Sequence, residues 1–372
     1  MTALSKAFDF LKQFVNHSEN ASDSPVIIPQ AMTTDPFHGG EPRPTLAEVA
    51  RAAGVSEITA SRALRGGVHV ARATLERVEA AARALNYVPN RLAGTLAGGQ
   101  SRQVAVVLPS LSNSVFADVL DGLETHLERA SHHPILGVSN YDPQHEERLV
   151  ADLLSWRPAG LVIAPAASTE ATRRMLAGAG VPVVEIMDID PAPIDMSVGL
   201  SQRAAGRAMA HYLLGRGYRR VAYVGHDIST DPRATTRKQG LELGLAEAEV
   251  ALEATVILPG PSSVPLGREA VARLLAEVPP GGLAVCFSND DMAVGAMFHA
   301  LGAGLAVPAD LALAGFNGLA IGQALPLPLT SVASHRAEIG NLAARALLSR
   351  LEGDHVARVQ DVGFRLIPGA TT

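Results

Sequence analysis

The sequence predicts a small all-α head followed by an α/β body built from two doubly wound parallel sheets. Three observations carry that prediction. At 372 residues the chain has room for two or three domains of roughly 150 residues each. Hydrophobic residues make up 47 % of it but aromatics only 4 %, so Ala, Val and Leu must fill the cores. Near residue 102 the pattern changes from short helix-like segments to brief apolar runs alternating with amphipathic ones. Continuous apolar strands separated by helices indicate parallel sheets covered on both faces.

Composition also excludes several classes. One cysteine, Cys286, rules out a disulfide scaffold and a Cys-rich zinc site. No run approaches the roughly eighteen apolar residues of a membrane span, so no membrane partner is expected. The first residues lack the basic start, apolar middle and small cleavage residues of a secretory signal, and a cytoplasmic location is expected. The net charge is −6, but it is unevenly placed. From Arg43 to Arg102 nine arginines face four glutamates, a local +5 that leaves −11 for the remainder. A basic head on an acidic body divides the chain into a part suited to nucleic acid and a part that is not.

Residues 1–43 read as an extension. Leu4, Phe8, Leu11 and Val15 share one face of a short helix, and a Ser/Asn/Asp/Pro-rich stretch ending in His38-Gly39-Gly40 follows; the whole is expected to be flexible. Residues 44–88 read as three short helices. Leu46, Val49, Ala50 and Ala53 make a helical stripe that Gly54-Val55-Ser56 interrupts. Ser56 is a good N-cap for a second helix through Leu64, with Val55 and Ala60 in the core. Leu75, Val78, Ala81, Ala82 and Leu85 line the third. In the body, strands are expected at Val104–Leu108, Ile135–Val138, Leu161–Ala164 and Val183–Ile186, then at Val221–Val224, Ala254–Ile257, Leu283–Phe287 and Leu311–Ala314. Helices are expected between them, at Phe116–Ala130, His145–Trp156, Ser201–Leu214, Thr236–Glu247 and Asp290–Leu301. Two such series make two lobes, and ligands on sheets of this kind bind beyond the carboxyl ends of strands.

A helix, a Gly-containing turn and a second helix that is short and polar at its start form a helix-turn-helix candidate. The stretches TLAEVARAAGVSEITASRAL and LNYVPNRLAGTLAGGQS resemble the head and hinge of the LacI/GalR family of regulators, and the resemblance continues through residues 45–368. It implies a periplasmic-binding-protein-like body of residues 102–372, with one lobe near 102–198 plus a return near 331–352 and another near 199–330 plus 353–368. It implies that the second helix enters the major groove, where Glu57, Ile58 and Arg62 read base edges. Arg62 can fork onto guanine, Ile58 suits a thymine methyl, and Glu57 can accept from cytosine or favour the helix N-terminus. Thr45, Ser56, Thr59 and Ser61 are then the phosphate contacts. Residues 89–101 resemble the hinge, with Asn90, Arg91 and Leu96 at its DNA-contacting positions and Leu96 as the minor-groove wedge. Gly94 inside that helix costs about 1 kcal/mol relative to Ala, so the hinge helix is expected to form with DNA.

Polar residues stand just past the body strands: Ser110, Asn113, Asp188, Asn289 and Asn317. By resemblance Arg237, in RATTRKQG, holds effector oxygens, Asp188 and Asn289 contact ligand, and Phe116 supplies an apolar wall. Many relatives that answer to neutral sugars carry Asp where GFNG places Asn317. Asn keeps the hydrogen bonding and removes a charge that would repel an anion, which favours a sugar acid. LPSLSNSVFADVLDGLE, VPVVEIMD, GFNGLAIGQ and DVGFRLIPGAT are similar to the gluconate-utilisation repressors of the family, and imply gluconate or 6-phosphogluconate as effector.

The reading is therefore a homodimeric transcriptional repressor of operator DNA controlled by a sugar acid, with no cofactor, no metal and no catalytic residue. A homodimer is expected over a tetramer because no heptads follow the strand-like Val362–Leu366. The alternatives are a relative answering to another sugar or a purine, an exported sugar-binding protein, or a sugar-acid enzyme. The last lacks phosphate-loop, zinc-protease and nucleophile-elbow motifs.

Overall fold

The computed structural model describes residues 44–65, 70–89 and 101–372. The expected N-terminal extension and the hinge residues Asn90, Arg91 and Leu96 lie outside the described residues. Those described fall into two compact units, the head and the body.

The head is three helices: α1 (Leu46–Ala53), α2 (Glu57–Leu64) and α3 (Arg72–Ala84). Thr45 caps α1 in a reciprocal box with Glu48, and Gly54 ends it at φ 65°, a left-handed backbone that an L side chain resists. The turn so made brings Ser56 to the start of α2, where its hydroxyl accepts from the Thr59 amide. Val49, Ala50, Ala53, Ala60, Ala63, Val78, Ala81 and Ala82 are buried together, with Val55 packed against them. Small residues at the contacts let three short helices share one core.

The body contains β1 (Gln103–Leu108), α4 (Ser114–Arg129), β2 (His133–Val138), α5 (Pro143–Ser155), β3 (Gly160–Ile163), α6 (Glu170–Ala177), β4 (Val183–Asp188) and β5 (Met196–Leu200). Then come α7 (Gln202–Gly215), β6 (Arg220–Gly225), α8 (Pro232–Ala246), β7 (Leu252–Ile257), α9 (Val264–Glu277), β8 (Leu283–Phe287), α10 (Asp290–Ala303) and β9 (Leu311–Asn317). It closes with α11 (Ala320–Gln323), β10 (Thr330–Ser334), α12 (Arg336–Leu351), β11 (Val359–Asp361) and β12 (Phe364–Ile367). The strands form two six-stranded sheets, ordered β11-β5-β4-β3-β1-β2 and β12-β10-β9-β8-β6-β7. Every pairing is parallel except β10 with β12.

The lobe boundaries differ from expectation at the return. Residues 330–334 belong to the second sheet, where Thr330 pairs with Ala314, so the chain crosses only at Ser334–Arg336. Residues 359–361 belong to the first sheet, where Val359 pairs with Ser197. The segments TSVAS and VQD lack the aliphatic run of a central strand, and neighbouring strands rather than their own pattern recruit them. The helix carrying Arg237 also starts earlier, at Pro232 instead of Thr236, because Pro232 supplies a helical φ at its first turn.

Two helix pairs approach backbone to backbone. A Cβ on Gly206 of α7 would fall on the Arg237 carbonyl of α8, and one on Gly240 would fall on the Arg203 carbonyl of α7. Gly122 and Gly340 make the same reciprocal contact between α4 and α12. Since α8 carries Arg237, the first pair sets the depth of a candidate binding residue. Gly206→Ala is expected to cost about 1–3 kcal/mol as an overpacked contact. Gly215→Ala, where a Cβ meets open space, is expected to be neutral or stabilising by up to about 1 kcal/mol. Urea unfolding of both variants checks this, and equal losses would contradict the close approach.

Candidate functional site

On α2 the buried Ala60 and Ala63 turn one face inward, which leaves Glu57, Ile58 and Arg62 exposed. Ile58 is 66 % exposed, a large β-branched side chain held in water within a basic segment. The polar groups beside it are partly committed. Thr45 donates its hydroxyl to Glu48 Oε2 at 3.0 Å, and a phosphate would have to displace that bond. The Ser56 and Thr59 hydroxyls bond each other at 2.9 Å, so one of their two hydrogens remains free for a phosphate. Ser61 is half-buried, and its carbonyl accepts from Arg65 Nε at 3.2 Å.

The body has a cavity of about 430 Å³ between its lobes, walled by Ser110 and Asn113 from one and Asn289 from the other. That volume lies within the usual range for a small-molecule site, roughly 300–1,000 Å³. Ser110 Oγ accepts from the Asn113 amide at 3.3 Å, while the Asn113 amide nitrogen reaches the Tyr141 hydroxyl at 3.4 Å. Asn289 caps α10 and accepts from Ser262 Oγ at 2.6 Å. Tyr141, His226, Asp227 and Asp231 also line it, with Ser112, Asn140, Thr230, Ser262 and Asp291; none of the first four was singled out from sequence, because each sits in a connecting loop without periodic pattern.

Arg237, Phe116, Asp188 and Asn317 do not line that cavity. Arg237 borders a space of about 30 Å³ behind it, together with Tyr223, Ser288 and Phe316. It donates to Gln202 Oε1 at 2.7 Å and to the Ser288 carbonyl at 3.0 Å, and stacks 3.9 Å from the Phe316 ring centre. Among the described residues it makes no ion pair, so its charge is held by neutral groups. Phe116 is buried on α4 with Arg233 above its ring, 5.9 Å from the centre. Asn317 ends β9 at φ 106°. Its carbonyl accepts from Arg336 Nη1, and Arg336 Nε also reaches Asp118 of α4 at 2.7 Å. That arginine spans from the second sheet to the first lobe.

The charges interact. Burial opposes ionisation of Asp231, but Arg233, Arg237 and His226 offset it and hold the carboxyl below its usual range. Burial lowers the pKa of His226 against the pull of Asp231, and His226 Nδ1 lies 2.9 Å from Ser288 Oγ. Asp290, the first residue of α10, is fully buried. It accepts from the Leu319 amide at 2.6 Å and Ser331 Oγ at 2.7 Å, and burial pushes its pKa up to about 7. It thereby pins the loop after Asn317 to the start of α10. Cys286 is buried and its thiol pushed up to about 12 by burial, which makes it an unreactive small hydrophobe. Among the described residues no His/Cys/Asp/Glu group could hold a metal ion, and no helix is long and apolar enough to cross a membrane.

A helix-turn-helix head with an exposed polar helix, on one chain with a two-lobed body enclosing a polar cavity, defines a DNA-binding regulator with a sensor domain. Residues 45–90 match the family described as bacterial regulatory proteins, lacI family, and residues 210–372 match the periplasmic binding protein-like domain. The chain is 41 % identical over 334 residues to the HTH-type transcriptional regulator GntR of Pseudomonas aeruginosa, covering 89 % of this chain and 96 % of the relative. A solved LacI-family transcriptional regulator from Silicibacter pomeroyi is 41 % identical with a TM-score of 0.84, over 88 % of this chain and 99 % of that one. The Lac repressor dimer bound to operator and an anti-inducer is 27 % identical with a TM-score of 0.76, over 89 % and 99 % of the two chains. The protein belongs to the lacI family of bacterial transcriptional regulators.

Asp188, at the end of β4, has a carboxyl pushed up to about 6 by burial, against the opposing pull of the Asp190 amide and Arg233. A raised carboxyl pKa gives a stability contribution that is present below the unfolded value and lost as pH rises through about 6. Asp188→Asn should then be more stable than the parent at pH 7.5, by at most about 3 kcal/mol at roughly 1.4 kcal/mol per pKa unit. The difference should close near pH 4. Urea unfolding at both values tests this, and a difference that does not change with pH would contradict it.

Proposed function

We propose that this regulator is a homodimeric repressor whose hold on operator DNA is controlled by a sugar acid, gluconate or 6-phosphogluconate, bound between the lobes. The observation that carries the reading is Arg237, a buried guanidinium bonded only to neutral acceptors and bordering the smaller space that Ser288 and Phe316 also line. An anion entering there meets a cation that no carboxylate contact has neutralised. Asn317 in place of an acid removes the charge that would oppose it. Ser110, Asn113 and Asn289 supply hydrogen bonds for hydroxyl groups. Binding favours one arrangement of the lobes, and control follows from that differential affinity.

On the DNA side, Glu57, Ile58 and Arg62 read bases. Thr45, Ser56, Thr59 and Ser61 hold phosphates, and Asn90, Arg91 and Leu96 act from the hinge. Two copies on a pseudo-palindromic site match the symmetry rule for such heads; the Lac repressor relative, a dimer bound to operator, supports this.

The test is fluorescence anisotropy of the protein on a duplex selected from a randomised pool, titrated with gluconate, 6-phosphogluconate, glucose and a neutral hexitol. A shift in DNA affinity with either acid and none with the neutral compounds is expected. An equal response to glucose, or no response to both acids, would overturn the reading. Asn317→Asp adds a like charge to the second lobe, which disfavours an anion held between the lobes. Calorimetry should show gluconate binding weakened at least several-fold beyond that of any neutral sugar; equal losses would count against the charge argument.

A further inference from the structure

Arg233 has an unmet hydrogen-bonding capacity that nothing above uses. It lies on the first turn of α8 and is only 5 % exposed. Its Nη1 crosses to the first lobe and donates to the Pro165 carbonyl at 2.8 Å. Its Nε faces Asp231 Oδ1 at 3.3 Å, and its guanidinium stands over Phe116 of α4. The remaining nitrogen, Nη2, is buried with no hydrogen-bond partner among the described residues, and so is Asp231 Oδ1. A charged donor left unpaired in a dry environment is costly, and native proteins resolve such groups with a ligand, an ion or water. The Pro165 carbonyl is itself held in place: the buried Glu146 accepts from the Ala166 amide at 2.9 Å and from Ser168 Oγ. Arg233 and Arg237 stand four residues apart, on one face of α8.

We propose that Arg233 is the residue that discriminates a carboxylate from a neutral terminus on the effector. The inference rests on the acid-effector reading above and adds to it the residue and atom responsible. Arg233 is not itself on the cavity wall, which its ion-pair partner Asp231 joins; the unpaired Nη2 takes a carboxylate oxygen that enters beside Asp231, while Nη1 stays on Pro165 and Nε keeps its ion pair. Because the same side chain spans both lobes, seating the acid on it also joins them. A neutral polyol of the same length can occupy the cavity but leaves Nη2 unpaired, and a site whose own polar groups stay unpaired rejects such a ligand.

Isothermal calorimetry on the full chain tests this with two probes, gluconate and a neutral hexitol, and the readout is the ratio of their dissociation constants. The parent protein should prefer gluconate. Arg233→Gln should lower that preference by about tenfold to a hundredfold, the range for losing a hydrogen bond to a charged group. Since Arg233→Gln removes an arginine that offsets the buried Asp231 charge, Asp231→Asn and the double variant Asp231→Asn/Arg233→Gln accompany it. The readout for the double variant is its preference relative to Asp231→Asn alone, which should fall by the same factor. A parent that prefers gluconate together with a double variant of unchanged preference would overturn the role of Arg233 and leave the acid reading standing. A parent without preference would overturn both.

Discussion

A guanidinium taken out of water must find acceptors for its hydrogens, because its charge cannot be removed by titration and burying it unpaired costs several kcal/mol. Two arginines of α8 meet that constraint differently. Arg237 has neutral acceptors on two sides and the Phe316 ring beneath it. Arg233 has a carboxylate, a carbonyl from the other lobe and one nitrogen with no partner. The local field follows from these two cations: Asp231 is held ionised by them, while Asp188, a more weakly paired carboxyl, is pushed up to about 6 by burial. The cavity is a place where charge is already arranged before any ligand arrives, and the energetic advantage of such a site is that it needs little reorganisation.

The rest of the body holds that arrangement in register. Gly206 and Gly240 let α7 and α8 touch backbone to backbone, which sets how closely the helix bearing both arginines lies against α7. Gly122 and Gly340 do the same for α4 and α12, and α4 carries Phe116 and Asp118. Arg336, at the start of α12, connects Asp118 to the Asn317 carbonyl, so the turn that bears Asn317 is attached to the first lobe. Asp290 secures the same turn from the other side. The head contributes a separate device: short helices closed over an alanine-rich core, with Ile58 and Arg62 left outside.

The sequence carried the architecture clearly and the site partially. Strongly aliphatic strands such as Val104–Leu108 and Leu283–Phe287 appear where their pattern puts them, since a buried parallel strand has little choice of residue. The strands β10 and β11 were not legible, because polar segments join a sheet only when neighbours provide the edge. Ser110, Asn113 and Asn289 were found from their place after strands and do line the cavity. Arg233 was missed because α8 was started at Thr236; Asp231-Pro232 is an N-terminal signal that would have placed it in the first turn. Tyr141 and His226 carried no signal of this kind. Their position depends on loops whose course is set by tertiary contacts.

The charge imbalance of the chain keeps the two activities apart. A basic head can release counterions from DNA, while an acidic body is repelled by the same phosphates. The account stands on the claim that the buried charge of α8 receives an acid. A crystal structure of the protein with gluconate tests that claim most directly. The carboxylate is expected within about 3 Å of a guanidinium nitrogen of Arg233 or Arg237, with the hydroxyl groups toward Ser110, Asn113 and Asn289. A gluconate whose carboxylate faces solvent, or which binds away from this cavity, would contradict it.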